Sequence, residues 1–285
     1  MTSNSPLFQL AAALALTLLP LSASADVSVA IANRAATASI SVPNDKGQLF
    51  TADASLDFDN PQGLTAACLG LTADWLDANR IADIHSRLPS ASLSIDPAFP
   101  VRITITPSPS CAFSFNDYVD MEIHTSNLVY TPGSPYRLYK GPVGGMFHDV
   151  TTATTSGSMR ARGRGGAFSE FVLIKDNTQD YLGQVQQRYT DLSAQLSLKS
   201  PTMASVASTA LSNDLSASLT AFNANNYASA ASYLTNFDAD AGRNAGKNIA
   251  NFWQPGMAES DNVVGDLVSR SGNIQFLLGR LQGNP

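Results

Sequence analysis

The chain has 285 residues, of which 14% are charged, against about 25% in an ordinary globular chain. Its 17 basic and 23 acidic side chains leave a net charge of −6, and with no basic block that balance argues against a nucleic-acid partner. Ser, Thr, Asn and Ala stand in for the missing charges, a composition suited to an extracellular or periplasmic surface.

The first 25 residues carry no Lys, Arg, Asp or Glu. An apolar or near-apolar run over 10–19 precedes Ala23-Ser24-Ala25 and Asp26, the small-x-small form of a signal peptidase site. The run is too short to span a bilayer. The reading is a signal peptide over 1–25, whose removal leaves an exported chain of about 260 residues in the periplasm or medium, with no membrane segment. That length holds one large or two ordinary domains. In an oxidising compartment Cys68 and Cys111 most simply form one disulfide, with two buried thiols as the alternative. A bond there closes a loop of about 44 residues and stabilises by ~4 kcal/mol on the chain-entropy model.

Over 27–175 the apolar period is two. Val27, Val29 and Ile31 alternate with small residues, Asn33-Arg34 reads as a turn, and Ile40 and Val42 resume the pattern. Phe50, Ala52, Ala54, Leu56 and Phe58 face one way; Thr51, Asp53, Ser55, Asp57 and Asp59 face the other. Val101, Ile103 and Ile105 repeat the pattern, as do Val119, Met121 and Ile123. Such alternation marks antiparallel sheets buried on one face. Frequent Pro and Gly turn signals give short strands and a β-sandwich, with a helical excursion over 77–86. After Asp176 the period becomes helical: Leu182, Val185, Tyr189, Leu192 and Leu196, then Met203, Val206, Ala210, Leu211, Leu215, Leu219 and Phe222, then Tyr227, Ala230, Leu234, Phe237, Ala241 and Ala245. Pro201 precedes the second helix, 223–226 reads as a tight turn, and a weaker pattern over 263–281 is interrupted by Gly265 and Gly272. Single apolar stripes require the helices to pack together or on the sheet. The expected fold is α+β by segregated domains: an antiparallel β-sandwich over 26–176 and a helical hairpin or bundle over 177–285.

The segment Tyr136-Arg-Leu-Tyr-Lys140, Gly144-Gly145, Phe147-His-Asp-Val-Thr151 and Phe168-Ser-Glu-Phe-Val172 resembles the closing hairpins of Ig-like sandwiches in bacterial surface and secreted proteins. The stretch 117–176 also resembles an uncharacterised family of exported bacterial proteins. Ala221-Phe-Asn-Ala-Asn-Asn-Tyr-Ala-Ser-Ala230 is similar to helical-hairpin modules that follow such sandwiches. The resemblance implies an Ig-like fold and export, and transfers no catalytic residue.

Asp120, Glu122 and His124 share one face of a strand. Two carboxylates and an imidazole suit a metal, but same-face residues sit roughly 7 Å apart, and the alternating apolar set already explains them as a solvent face. Arg160, Arg162 and Arg164, with Ser158 beside them, form a second stripe. It either pairs across strands with the acidic row or binds an anionic polysaccharide or phosphate. Asp53, Asp57, Asp59 and Asn60 carry calcium-type oxygens, but Pro61 breaks an EF-hand register, and a solvated strand edge is the simpler reading. Gly163, Gly165 and Gly166 lack the Lys-Ser/Thr of a phosphate loop and read as a flexible hairpin tip. His85 and His148 are isolated and read as structural. No hydrolase motif is present, and no cofactor is implied. The expectation is a non-enzymatic exported interaction or structural module, its partner a protein or glycan of the cell envelope. The alternatives are a binding protein for anionic glycans through the arginine stripe, and a metal-dependent hydrolase.

Overall fold

The computed structural model describes residues 24–155 and 157–284; apart from Ser24 and Ala25, the leader expected at 1–25 lies outside them. Strand β1 (Asp26–Ala32) returns through Asn33 and Arg34 into β2 (Ala35–Pro43). Asn33 takes the left-handed φ of 53°, which asparagine tolerates better than most residues. In β3 (Leu49–Gln62) the set Phe50, Ala52, Ala54, Leu56 and Phe58 is buried and the residues between are largely exposed. A short helix, α1 (Ala66–Leu69), carries Cys68, which is disulfide-bonded to Cys111 across a Cα separation of 5.6 Å. Strand β4 (Leu71–Trp75) leads into helix α2 (Ala78–Ser86), where the Asp77 side chain caps the backbone N–H groups of Asn79 and Arg80.

The remaining strands are β5 (Leu93–Ile95), β6 (Val101–Ile105), β7 (Ser114–Val129), β8 (Tyr136–Gly141), β9 (His148–Asp149), β10 (Thr151–Thr155), β11 (Ser158–Gly165) and β12 (Glu170–Asp176). They form two antiparallel sheets among the described residues. Sheet A runs β1-β2-β3-β7-β11-β10; sheet B runs β4-β6-β12-β8-β9, with β5 also on β12. The alternation that buries Ile40, Leu56, Met121 and Ala161 of sheet A meets Ile103, Leu138, Phe171 and Leu173 of sheet B in one apolar layer. A second cluster lies on the other face of sheet B, where Ile84 of α2 covers Tyr139, Val172 and Ile174.

Helices α3 (Tyr181–Lys199), α4 (Ser205–Asn223), α5 (Tyr227–Asn244) and α6 (Val263–Leu281) share a third cluster built on the expected stripes. Before α6, β13 (Phe252–Trp253) pairs with the start of β7. Trp253 thereby joins Phe58, Phe113, Phe115 and Phe168 in a cluster of edge-on, tilted and stacked rings, with its own centroid 5.3–6.4 Å from three of the phenylalanines. Helix α6 lies between α3, α5 and sheet A. The Ser269 hydroxyl donates to the Arg164 carbonyl, Asn273 Nδ2 donates to the Thr151 carbonyl, and Arg280 Nη2 donates to Thr154 Oγ1.

Several expectations need correction. Gly163 and Gly165 lie inside β11, and the hairpin tip is at Gly157 instead. A Cβ on Gly163 would come within 2.9 Å of Leu138 and Val150, and one on Gly166 would meet the Gly265 backbone at 3.0 Å. These glycines serve close packing rather than a mobile tip. Asp53 and Asp57 do not sit on a strand edge, because β3 is flanked by both β2 and β7. Pro201 does precede the second helix as expected, in a 3-10 turn over Ser200–Thr202 ahead of α4 at Ser205. The weak period of α6 has a physical cause: its surface is covered from two directions, so Val263, Val264, Leu267 and Val268 are all buried and no polar stripe is needed.

Candidate functional site

The outer face of sheet A collects every charged row that the sequence singled out. In β3, β7 and β11 the outward residues fall into register as Asp53–His124–Arg160, Ser55–Glu122–Arg162 and Asp57–Asp120–Arg164. Unlike charges therefore lie side by side across β7 and β11. Arg160 Nη1 donates to Glu122 Oε1 at 2.9 Å, and Arg162 Nε donates to Glu122 Oε2 at 2.5 Å. Arg164 grips Asp120 with both Nε and Nη2, at 2.8 and 3.3 Å, and its guanidinium lies 3.9 Å from the Tyr118 ring centroid. The like-charged neighbours Asp57 and Asp120 are each neutralised, Asp57 by Arg34 at 3.0 Å. Partial burial pushes the Glu122 carboxyl upward, but the hydrogen bonds and charges of Arg162 and Arg160 outweigh it and hold the group below the usual range.

The three metal candidates are drawn to different partners. Asp120 binds Arg164, Glu122 binds two arginines, and His124 turns to Asp53 and Ser158. No group of three or more His, Cys, Asp and Glu side chains suited to a metal forms among the described residues. Asp53 and Asp57 point into separate pairs, while Asp59 lies near Asp117, whose own carboxyl is raised by burial and by Asp59. His85 Nε2 accepts the Ile95 N–H at 3.2 Å and serves the packing of α2 on β5.

Two open grooves score this face. One, of about 330 Å³, is lined by Ser41, Thr51 and Thr125 among others; the second, of about 480 Å³, by Thr37, Ser55, Glu122 and Arg160 among others. Ser28, Ser39, Asp53 and His124 belong to both. The contact between His124 Nε2 and the Ser158 hydroxyl is absent from the sequence reading. The signal for it was present, since Ser158 precedes Arg160 by two and shares its face. What was missing was the knowledge that Arg160 stands opposite His124.

Elsewhere, charges are buried in pairs. Glu170, 3% exposed, is held by Arg87 and by Arg102 Nη1 at 2.5 Å. Lys140, fully buried, binds Glu259 beside His148. Burial drives the His148 imidazole down to about 4, with Lys140 adding to that effect and Glu259 opposing it.

Two facing antiparallel sheets, with a helical bundle seated on one of them and a charge-laced outer sheet face, define the class of this protein. The chain belongs to the family described as "Family of unknown function (DUF6689)", whose model matches residues 11–282. A comparison with curated proteins gives no match.

Proposed function

We propose that this chain is an exported bacterial envelope module that works by binding, with the outer face of sheet A as its binding surface. One observation carries the reading: a broad polar face with two open grooves, whose charged rows are largely neutralised within the chain. Such a face stays hydrated alone and offers hydroxyls, carboxylates and guanidinium groups to a protein or glycan partner. The Cys68–Cys111 bond, the Ala23-Ser24-Ala25 sequence and the start of β1 at Asp26 support export. The facing sheets, together with the Tyr136–Thr151 motif, support an Ig-like sandwich. Intact mass of the protein recovered from the envelope or medium tests export. The expected mass begins at Asp26 and lacks two hydrogens; retention of 1–25 or two alkylatable thiols would contradict it.

A second reading, an anionic-glycan site, is favoured by the imbalance of the arginine row. Arg160 and Arg162 share the single carboxylate of Glu122, Arg164 is held by Asp120 with Asp238 also acting on it, and Arg162 remains 57% exposed. Binding of the mature chain to an alginate- or heparin-like polymer at moderate salt, lost in Arg162→Ala, would establish it. Equal retention of both proteins would exclude Arg162 from recognition.

A further inference from the structure

Four adjacent strands place Ser39, Asp53, His124 and Ser158 in a line across the outer face of sheet A. Ser39 Oγ donates to Asp53 Oδ1 at 3.2 Å. The other carboxylate oxygen, Oδ2, lies 3.4 Å from His124 Nδ1. On the far side of the ring, His124 Nε2 is in direct contact with Ser158 Oγ. In the tautomer with hydrogen on Nδ1, the nitrogen that faces the Asp53 carboxylate, the Nε2 lone pair is free to accept the serine proton. The order of nucleophile, base and orienting carboxylate is the one acyl-transfer enzymes use on unrelated folds. Asp53 and His124 also line both grooves, and Arg160, the register partner of His124, lines the larger one.

We propose that Ser158, His124 and Asp53 form a nucleophilic relay that hydrolyses short-chain acyl esters of polar alcohols. The inference adds chemistry to the binding surface and does not depend on which partner that surface recognises. Ser158 Oγ attacks the ester carbonyl carbon while its proton passes to His124 Nε2, and the carbonyl electron pair moves onto oxygen. Arg160 stands beside the relay as the cation for that oxyanion. The intermediate collapses, the carbon–alkoxy bond breaks, and the leaving oxygen takes the proton from Nε2. Water then attacks the acyl-serine, giving its proton to His124 and releasing the carboxylic acid as the proton returns to Ser158. Asp53, beside Nδ1, orients the imidazole throughout. The polar alcohol follows from the groove walls, which offer Ser28, Ser39, Ser41, Thr37 and Ser55.

The test uses the full mature chain, with p-nitrophenyl acetate as substrate and a fluorophosphonate as covalent probe. Wild type is expected to hydrolyse the ester, and peptide mapping should place the probe on Ser158. Ser158→Ala should remove the label and lower hydrolysis roughly 100-fold or more, with an unchanged unfolding midpoint. His124→Gln should do the same, and Asp53→Asn should slow hydrolysis and shift the acid limb of its pH profile. Hydrolysis no faster in wild type than in Ser158→Ala, or a probe found on other residues such as Ser126, overturns the proposal.

Discussion

Asp238 on α5 is a carboxylate whose surroundings favour its neutral form. Burial pushes it up to about 6, and the hydrogen bonds from Ser271 and Gln275 and the charge of Arg164 recover only part of that. Below its ordinary 3.8 the group is neutral in both folded and unfolded chains and costs nothing. As pH rises through 6 the folded chain must ionise it, so stability is lost toward alkaline pH. Asp238→Asn should therefore raise the unfolding free energy at about pH 8, by on the order of 1–3 kcal/mol, and the gain should vanish near pH 4. His148 has the opposite sign. Held near 4 rather than 6.5, it withdraws stability as pH falls between those values, because only the unfolded chain readily takes the proton. In His148→Gln the acid-side loss over that window should flatten. A gain from Asp238→Asn that persists unchanged at acid pH, or an unaltered acid limb in His148→Gln, would refute these assignments. At the exposed arginine row the expected effect is small: Arg162→Ala should cost about 0–1 kcal/mol, the range of solvent-exposed ion pairs.

Among the elements, α6 makes the sharpest demands on its sequence. A Cβ on Gly265 would lie 2.2 Å from the Asp117 carbonyl oxygen and 2.5 Å from Gly166 Cα, both backbone atoms of sheet A and its exit. Gly265→Ala should cost about 2–3 kcal/mol. Gly242→Ala, near the end of α5 with nothing within 4 Å, should stabilise by about 0.5 kcal/mol. Denaturant midpoints of the pair check this, and equal effects would mean that α6 does not press on the sheet. The same helix marks where the sequence stopped being legible. β3 and β7 declared themselves because one face is dry and the other wet, so a period of two was forced. α3 to α5 each needed one stripe and showed it. α6 is covered by helices and sheet together, so its apolar residues spread around it and its glycines looked like interruptions. Site residues failed for a related reason. Period two says which residues share a face but not which strands are neighbours, and the pairing of His124 with Ser158 depends on β7 lying against β11.

At the scale of the molecule, the helical part is tied to the two sheets by α6, by β13, and by Trp253 in the phenylalanine cluster. Both tryptophans, Trp75 and Trp253, report on the sheets, whereas the far-ultraviolet dichroism is dominated by the helices. Unfolding followed by the two signals should give coincident midpoints, as a single cooperative unit requires; separated transitions would show that α3 to α6 melt independently. The proposed role of the outer face of sheet A is to meet the chain's partner. Photo-crosslinking amino acids placed in living cells at the exposed positions Thr37 and Ser55 of that face, with a control at exposed Leu198 on α3, test it directly. Adducts with an envelope protein or glycan are expected from the two sheet positions and none from Leu198. Adducts from Leu198 alone, or none from either sheet position, would contradict it.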